Sequence, residues 1–392
     1  MARPQQQFRE SFGLQDTLSG KRGNGMTENV GKKEMVVTPW KVEGEVDYDR
    51  LIEQFGTKAI TQKLRDRLAK HAGYMHAQLR RGIFFSHRDL DWWLDIYEGG
   101  EPVGLYTGRG PSGPVHLGHL LPWFFTKYLQ DAFSADLYFQ MTDDEKFVYN
   151  PELSLEETNF YTYENALDLI AVGLDPDKTH IISDVDNIDH LYRLALEVAK
   201  RVTYSTIRAV FGLTDSDNIG IIFFPAIQAV PCFLQSIREN RKVAVLIPAA
   251  IDQDPYWRMT RDIAERMGFY KPAQMHAKFL PGLGKGGKMS ASMPETAVFT
   301  IDPPELAEKK IMDAFTGGQP TVREQMEKGG DPSVCSIYAY YYFLFEEDDD
   351  KLVELENECR SGSLICGDCK ARLARVVSRF LVDFQEKREN AR

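Results

Sequence analysis

The sequence predicts an α/β protein in which helices cover a parallel sheet and a helical region follows it. Two observations support this fold class. Between residues 101 and 300, short β-branched runs alternate with segments of helical periodicity, which is the pattern of strands joined by crossover helices. After Ile301 the periodicity is mostly helical. A chain of 392 residues, 43% of them hydrophobic, also has enough apolar material for two or three domains.

The N-terminal 100 residues divide into two parts by composition. Residues 1–34 are rich in Gln, Gly, Ser and Lys, and we expect a disordered tail because they cannot bury enough apolar surface to order themselves. Residues 35–100 are expected to form an ordered extension. Within it, residues 61–91 collect Lys and Arg among histidines and aromatics, which fits either a local basic face or an ordinary solvated helix surface.

Four strands are predicted in residues 101–300, with the sequences VGLYT, DLYFQM, THIIS and VAVLI. Helices are expected after them over 118–133, 155–171, 188–210 and 255–267. The second helix starts with a capping box of Ser154 and Glu157, and Gly173 is its predicted stop. Because such sheets bind ligands at the carboxyl ends of their strands, we expect the functional site there. Residues 301–392 are predicted to form a separate helical domain.

Composition excludes several classes of protein. The formal net charge of −11 argues against a protein that coats nucleic acid. No apolar run approaches the roughly 18 residues that cross a bilayer, and no signal-peptide pattern is present. We therefore predict a cytoplasmic protein with no membrane role. Cys366 and Cys369 form a CxxC, but no second CxxC or His pair lies near them in the sequence, so we predict reduced, unpaired thiols and no structural metal.

The strand VGLYT runs into a Gly- and Pro-rich turn that delivers two histidines, His116 and His119, at the start of a helix. Their spacing places them on one face, beside backbone N–H groups and the positive end of the helix dipole, which favours a triphosphate. Gly118 between them lets a base or ribose approach the backbone closely. Taken alone, two histidines three residues apart are more often surface residues or metal ligands.

A second motif, GLGKGGKMSAS, is a Gly-rich loop that presents Lys288, Ser290 and Ser292. Such a loop can close over a polyphosphate and stabilise charge as it develops. It lacks the spacing of a P-loop. Alone it is weak evidence for nucleotide binding.

Together, PVHLGH and KMSAS, roughly 170 residues apart, resemble the HIGH and KMSKS motifs of class I aminoacyl-tRNA synthetases. The blocks LYTGRGPSG, QMTDDEK, FPAIQA and AIDQDPYWRMTRD narrow the resemblance to the eukaryotic and archaeal type of tryptophanyl-tRNA synthetase, over roughly residues 36–390. Ala291 replaces the second lysine of KMSKS. The resemblance implies a Rossmann-like catalytic domain with a connective insertion at 101–300 and an anticodon-binding domain at 301–392.

The resemblance also implies substrates, partners and site residues. The enzyme would activate L-tryptophan with ATP and Mg²⁺, transfer it to tRNA(Trp), and work as a homodimer. The implied catalytic residues are Arg109, His116, His119 and Lys288. The implied ATP-binding residues are Gly108, Gly110, Gly118, Lys288, Met289, Ser290 and Ser292. The implied tryptophan-binding residues are Tyr106 and Gln140 at the indole N–H, and Glu145, Gln228 and Gln253 around the α-amino group.

Other interpretations remain open at this stage. Tyr106 and Gln140 also fit ordinary residues at the edge of a core, and Glu145 fits a surface turn in the acidic run TDDEK. At the level of function, the alternatives are a tyrosyl-tRNA synthetase, a catalytically silent synthetase-like protein that binds tRNA, and a different nucleotidyltransferase with the same fold.

Overall fold

The computed structural model describes residues 35–37, 42–43, 46–290 and 293–392. The predicted tail at 1–34 and the candidate Ser292 lie outside these ranges. The described strands are β1 Val36–Val37, β2 Val42–Glu43, β3 Lys58–Ala59, β4 Phe84–Arg88, β5 Val103–Arg109, β6 Asp136–Met141, β7 Thr179–Ser183, β8 Ala244–Ala250 and β9 Ala273–Ala277.

The α-helices of the described residues are α1 Tyr48–Phe55, α2 Gln62–Ala72, α3 Ala77–Arg80, α4 Leu90–Glu98, α5 Leu117–Phe133, α6 Asp143–Tyr149, α7 Leu155–Ala171, α8 Ile188–Ala199, α9 Tyr204–Phe211, α10 Ile219–Gln228, α11 Pro231–Arg238, α12 Asp254–Ala264, α13 Pro304–Asp313, α14 Val322–Lys328, α15 Ser336–Tyr340, α16 Asp349–Ser361 and α17 Cys366–Asn390. Short 3₁₀ segments occupy Ile251–Gln253, Glu265–Met267, Pro294–Thr296 and Pro332–Val334, and a π-helical segment follows α15 at Tyr341–Phe345. No single described helix is long and apolar enough to cross a membrane, although α10 and α11, bent by 41°, meet that test as a pair.

Seven strands form one sheet in the order β3-β4-β9-β8-β5-β6-β7. The five strands from β9 to β7 are parallel, whereas β4 pairs antiparallel with β9 and β3 antiparallel with β4. The four strands predicted from the sequence are β5 to β8, which confirms the α/β fold class. The sequence pattern missed β4 and β9 because polar residues interrupt their apolar runs: Ser86 and His276 are fully buried and bond to each other across the two strands at 3.0 Å.

The sheet has a topological switch point between β5 and β8. The chain adds β6 and β7 on one side of β5, and then returns to place β8 on the other side. Residues 103–105 of β5 pair with 244–246 of β8, but neither strand pairs with the other beyond that point, although both continue. The two carboxyl ends therefore separate, and this is where an open α/β sheet offers a crevice for a ligand.

A comparison of predicted and observed helix boundaries shows which sequence signals locate the start of a helix. Helix α7 spans the predicted residues, and its capping box is present: the Glu157 N–H donates to Ser154 Oγ at 3.1 Å and the Ser154 N–H to Glu157 Oε2 at 2.9 Å. The single helix predicted over 188–210 is wrong. The chain forms α8 and α9 instead, because Thr203 caps a new helix by accepting the Thr206 N–H at 3.2 Å.

The long helix α17 packs against α13 and against α7 of the sheet region. Apolar residues of α17 such as Leu373 and Leu381 belong to the same hydrophobic cluster as Leu105 of β5. Near its end, Arg388 is 5% exposed and forms an ion pair with Glu164 of α7, and its Nε lies 3.3 Å from Asp168 Oδ1. The helical region and the sheet region therefore share one core. The predicted domain boundary at 300/301 stays a prediction.

Candidate active site

A cavity of about 560 Å³ opens where β5 and β8 separate. Its walls come from the end of β5, the start of α5, α6, the end of α10, the end of β8 and the loop that follows β9. The predicted site residues that line it are Tyr106, Gly108, Arg109, Gly110, His116, Gly118, His119, Glu145, Gln228, Gln253, Lys288, Met289 and Ser290. Gln140 does not line the cavity, and Ser292 is outside the described residues.

One group of cavity residues, here called the cationic cluster, comprises Arg109, His116, His119 and Lys288. Arg109 is the last residue of β5, and His116 is the N-cap of α5. The spacing of the histidines makes them a capping pair: the His116 N–H donates to His119 Nδ1 at 3.1 Å, and the two rings stack with centroids 3.6 Å apart. The histidine pair predicted from the sequence therefore also determines where the helix begins.

The cationic cluster combines neutral histidines with fixed positive charges. Burial, with Arg109 adding to it, lowers the pKa of His116 to about 3 and holds the pKa of His119 well below its usual range. Burial also lowers the pKa of Arg109, to about 10, which leaves the guanidinium charged at neutral pH. A neutral imidazole has one acceptor nitrogen, and in His119 this is Nδ1, which already accepts a hydrogen bond. The other ring nitrogen, Nε2, therefore carries a hydrogen, and it lies 3.0 Å from another donor, Arg109 Nη1. An anionic oxygen would satisfy both donors.

Lys288 reaches the cavity from a Gly-rich loop. Lys288 and Pro281 form an isolated antiparallel bridge, and Gly286 and Gly287 make the turn between them with φ of +74° and +82°, which only glycine adopts at little cost. Lys288 Nζ lies 3.4 Å from Asp252 Oδ2, and over the ring of Phe279 at 5.3 Å. Burial raises the pKa of Asp252, and the charge of Lys288 opposes that rise. These contacts hold the ammonium group at the cavity wall.

A second group, here called the acid–amide cluster, comprises Tyr106, Gln140, Asp144 and Asp184. The Tyr106 hydroxyl donates to Gln140 Oε1 at 2.5 Å and also lies 3.1 Å from the Gln228 carbonyl oxygen. Gln140 Nε2 in turn donates to both carboxyl oxygens of Asp184 at 2.8 Å. Tyr106 therefore contacts the cavity, while Gln140 stands behind it and is oriented by Asp184.

The two carboxyl groups of the acid–amide cluster share a proton. Burial raises the pKa of Asp184 well above its usual range, and the charge of Asp144 adds to that rise. Burial also raises the pKa of Asp144, to about 7, although its hydrogen bond with Asp184 acts in the opposite direction. Carboxyl oxygens of Asp143, Asp144 and Asp184 lie within 4.8 Å of one another, a spacing that a metal ion could use. Asp143 Oδ2, however, already accepts from Ser183 Oγ at 2.6 Å and its Oδ1 from the Val185 N–H at 3.1 Å. These hydrogen bonds account for Asp143 without a metal.

Glu145 lies in α6 rather than in a surface turn, so that alternative interpretation is wrong. Its side chain is buried at the cavity wall, where Lys146 Nζ approaches its carboxylate to 2.8 Å and the Thr142 hydroxyl donates to it at 3.3 Å. Gln228 ends α10, and Gln253 ends the 3₁₀ segment after β8. The three polar residues predicted around an α-amino group therefore come from three different elements and meet at one cavity.

The family model for tRNA synthetases class I (W and Y) matches residues 98–382. The chain belongs to this family. It is thus an aminoacyl-tRNA synthetase, and the fold is the class I Rossmann-like fold that the sequence predicted.

The synthetase is similar to named relatives over nearly all of its length. It is 50% identical over 360 residues to a protein named tryptophan–tRNA ligase from Pyrobaculum calidifontis, with 92% of this chain and 96% of that protein covered. The tryptophanyl-tRNA synthetase of Plasmodium falciparum shares the fold with a TM-score of 0.81 and 40% identity, covering 88% of this chain and 92% of that one. The Encephalitozoon cuniculi enzyme, solved bound to tryptophan, has a TM-score of 0.80 and 38% identity, covering 88% and 95%.

Packing explains two of the glycines that the sequence analysis assigned to ATP binding. A Cβ on Gly108 would come within 2.7 Å of the Gln140 carbonyl oxygen on the neighbouring strand, so the strands of the synthetase require glycine there whatever the ligand. A Cβ on Gly118 would lie 3.1 Å from the His116 ring and 3.6 Å from Met289. Gly118 thus keeps the space between the two motifs open.

Sequence reasoning missed the residues that support the cavity from behind. Asp252, Asp144 and Asp184 were not singled out, although each follows directly or closely after a strand of the parallel sheet. That position was a usable signal, because polar residues just beyond the carboxyl end of a parallel strand face the ligand crevice. Lys146, paired with Glu145, was missed because a Glu–Lys neighbour pair is common on solvated helices.

Proposed function

We propose that the synthetase is a tryptophan–tRNA ligase, which activates L-tryptophan with ATP and then transfers it to tRNA(Trp). The observation that carries this proposal is that the cationic cluster and the Tyr106 side of the acid–amide cluster line one cavity at the switch point of the sheet. Such a cavity can hold a nucleotide triphosphate and an amino acid side by side. The names of the relatives described above support the choice of tryptophan.

The cationic cluster suits the nucleotide. In the first step the tryptophan carboxylate would attack the α-phosphate of ATP and pyrophosphate would leave, a reaction that depends on positioning and on stabilising charge at phosphate oxygens. Arg109 and Lys288 supply positive charge, and the neutral histidines supply donors without adding repulsion between cations. Magnesium prefers phosphate oxygens and water to an all-protein cage, so we expect Mg²⁺ to arrive on the triphosphate.

Tyr106 suits the indole. Its single hydroxyl hydrogen is directed at Gln140 Oε1 or the Gln228 carbonyl, which leaves the hydroxyl oxygen as an acceptor at the cavity wall. The indole N–H is only a donor, so the two groups match. A site built to hydrogen-bond one polar group can reject ligands that lack it by roughly 10⁴ to 10⁵, so no separate editing site is needed. Glu145, Gln228 and Gln253 would hold the α-amino group.

The test is amino-acid-dependent exchange of pyrophosphate into ATP, run with each of the twenty amino acids and with Mg²⁺. Tryptophan alone should support exchange, and the product should then charge tRNA(Trp). Exchange with tyrosine instead would identify the other specificity of the family. Absence of exchange with any amino acid, in a protein that still binds tRNA, would indicate a catalytically silent relative.

We further propose that the second copy needed for a homodimer packs on α8. Ile188, Tyr192 and Leu196 lie at i, i+4 and i+8 on this helix and are 40%, 50% and 46% exposed, an apolar stripe that is unusual on a monomer surface. Leu196→Lys should shift the mass measured by light scattering from two chains to one, whereas Asp189→Lys, outside the stripe, should not. A monomeric wild type would refute this. A cytoplasmic location stays a prediction.

A further inference from the structure

Four of the five cysteines line one small cavity in the C-terminal helical region. Its volume is about 20 Å³, and its cysteines are Cys335, Cys359, Cys366 and Cys369. Cys335 precedes α15, Cys359 lies near the end of α16, and the CxxC pair occupies the first turn of α17, where its i, i+3 spacing puts both thiols on one face. The fold thus brings together thiols that are up to 34 residues apart in the sequence.

Apart from the four cysteines, the lining of this cavity is mainly apolar and includes Ile337, Leu355 and Leu364. None of the four is in a disulfide.

Two glycines bring the backbone against the sulfurs. A Cβ on Gly318 would lie 2.5 Å from the Cys366 sulfur, and one on Gly330 would lie 3.0 Å from the Cys359 sulfur. Neither glycine has a positive φ that would explain it as a turn residue. A Cβ would also meet the Gln325 side chain, at 3.0 Å from Gly318 and at 2.9 Å from Gly330, so close packing around the cysteines and Gln325 accounts for glycine at both positions.

The spacing of the sulfurs indicates the size of the group that would fit. Around a single tetrahedral zinc the sulfurs are about 3.8 Å apart, as follows from zinc–sulfur bonds of about 2.3 Å. Among the described residues, no three of these four sulfurs lie within 4.8 Å of one another, so at least some of them are farther apart than a single zinc requires. A cluster with several metal ions holds its cysteines at wider spacing.

We propose that Cys335, Cys359, Cys366 and Cys369 hold a metal centre through four thiolates, either an iron–sulfur cluster or a single zinc ion. A single zinc would require the four sulfurs to draw together, whereas a cluster would require the cavity of about 20 Å³ to widen. The centre would fasten the start of α15, the end of α16 and the start of α17 to one another. This proposal replaces the sequence-based prediction of unpaired thiols, which considered only cysteines and histidines close to the CxxC in the sequence.

The first experiment uses the full wild-type chain, expressed with iron and zinc in the medium and purified without oxygen and without a metal-affinity column. Elemental analysis and an assay for acid-labile sulfide should find one centre per chain. Iron with sulfide identifies the cluster, and zinc without sulfide identifies the single ion. X-ray absorption at the metal edge should show sulfur ligands. Metal well below one centre per chain, or metal bound through nitrogen and oxygen, would overturn the proposal.

A matched pair of variants tests the ligands. Cys366→Ser removes one thiolate from the half-buried end of the cavity, whereas Cys232→Ser changes a buried cysteine outside it. Cys366→Ser should lower the affinity for the metal at least 10-fold, roughly the loss caused by removing even a supporting residue of a metal site. Cys232→Ser should keep wild-type metal content. Equal metal content in both variants would contradict the assignment.

A measurement on the wild type covers the case in which Cys366→Ser does not fold. The native protein should protect four thiols from a thiol reagent, and a chelator or an oxidant that destroys the cluster should expose them. Equal reactivity with and without that treatment would refute the centre. Pyrophosphate exchange is assayed in parallel on the wild type, so that failure of the proposed function and failure of the metal centre are separate results.

Discussion

The cationic cluster and the acid–amide cluster adjoin the same cavity but differ in charge: the first holds a buried cation, and the second holds carboxyl groups whose ionisation is suppressed. The cationic cluster draws its members from a strand end, a helix start and a Gly-rich loop, and its Arg109 stays charged at neutral pH despite burial. The acid–amide cluster is formed at the carboxyl ends of neighbouring strands, and its two carboxyl groups suppress charge by sharing a proton. Under the proposed function, the cationic cluster would stabilise developing charge and the acid–amide cluster would recognise a neutral ring.

The largest expected effect comes from removing charge from the cationic cluster. Lys288→Ala should lower the rate of adenylate formation on the order of 10²-fold, because a donor aimed at developing charge is lost. Affinity for tryptophan should change little, since Lys288 contacts Asp252 and Phe279 rather than the acid–amide cluster. Stopped-flow adenylation gives the rate, and equilibrium binding gives the affinity.

Lys285→Ala is the matched control for Lys288→Ala. Lys285 lies on the same loop but extends over the Phe315 ring, at 5.8 Å, and does not line the cavity. Its loss should leave the rate near that of the wild type. An equal loss in both variants would mean that the loop needs positive charge in general, and it would remove Lys288 from the cationic cluster.

A smaller effect is expected from changing the acid–amide cluster, and it should alter the preference for tryptophan over an analogue. Gln140→Ala removes the acceptor that orients the Tyr106 hydroxyl, and the poorer match to the indole N–H should cost about 1–3 kcal/mol for tryptophan. An analogue with sulfur in place of the indole nitrogen cannot donate that bond and should lose much less. The measurement is kcat/KM for both ligands on both proteins.

The same double-mutant cycle with Tyr106→Phe tests whether Tyr106 or Gln140 contacts the indole nitrogen directly. Tyr106 lines the cavity and Gln140 lies behind it, so Tyr106→Phe should show the larger coupling to the indole nitrogen. A coupling energy of zero for both variants would remove the indole assignment. A larger coupling for Gln140 than for Tyr106 would mean that Gln140 reads the ring directly.

The smallest expected effect is on stability, and its sign follows from the shared proton. The folded state holds the pKa of Asp144 at about 7, above its ordinary 3.8, so the folded chain binds more protons than the unfolded chain in that interval. The free energy of unfolding should therefore decrease as the pH rises from about 4 through 7. Asp144→Asn should reduce this dependence in denaturant titrations, leaving the part that Asp184 contributes, whereas the exposed Asp189→Asn should keep it in full. A dependence equal to the wild type in Asp144→Asn would argue against the shared proton.

The sequence predicted those parts of the molecule that local chemistry determines. Helix α7 was predicted to the residue because Ser154 and Glu157 satisfy each other within one turn. The two motifs identified most of the cavity because residues next to strand ends meet there in this fold. The break between α8 and α9 was missed because the signal, a Thr203 cap, is weak beside continuous helical periodicity.

The remaining features depend on contacts between distant parts of the chain. Nothing local marks Asp184 as the partner of Gln140, 44 residues before it. The cysteines show the same limit: the CxxC of Cys366 and Cys369 was visible, but only the fold places Cys335 and Cys359 around the same cavity. The spacing of two residues in the sequence predicts their distance in space only when both lie in the same helix or turn.

The packing of α17 on α7 connects the last described helix to the wall of the candidate active-site cavity. Arg109 Nε donates to Asn165 Oδ1 at 2.7 Å, and Arg388 contacts Asp168, one turn further along the same helix. Residues one turn apart on α7 therefore contact both Arg109, in the cavity wall, and Arg388, near the end of α17. A displacement of α17 would therefore disturb the helix that positions the guanidinium of Arg109.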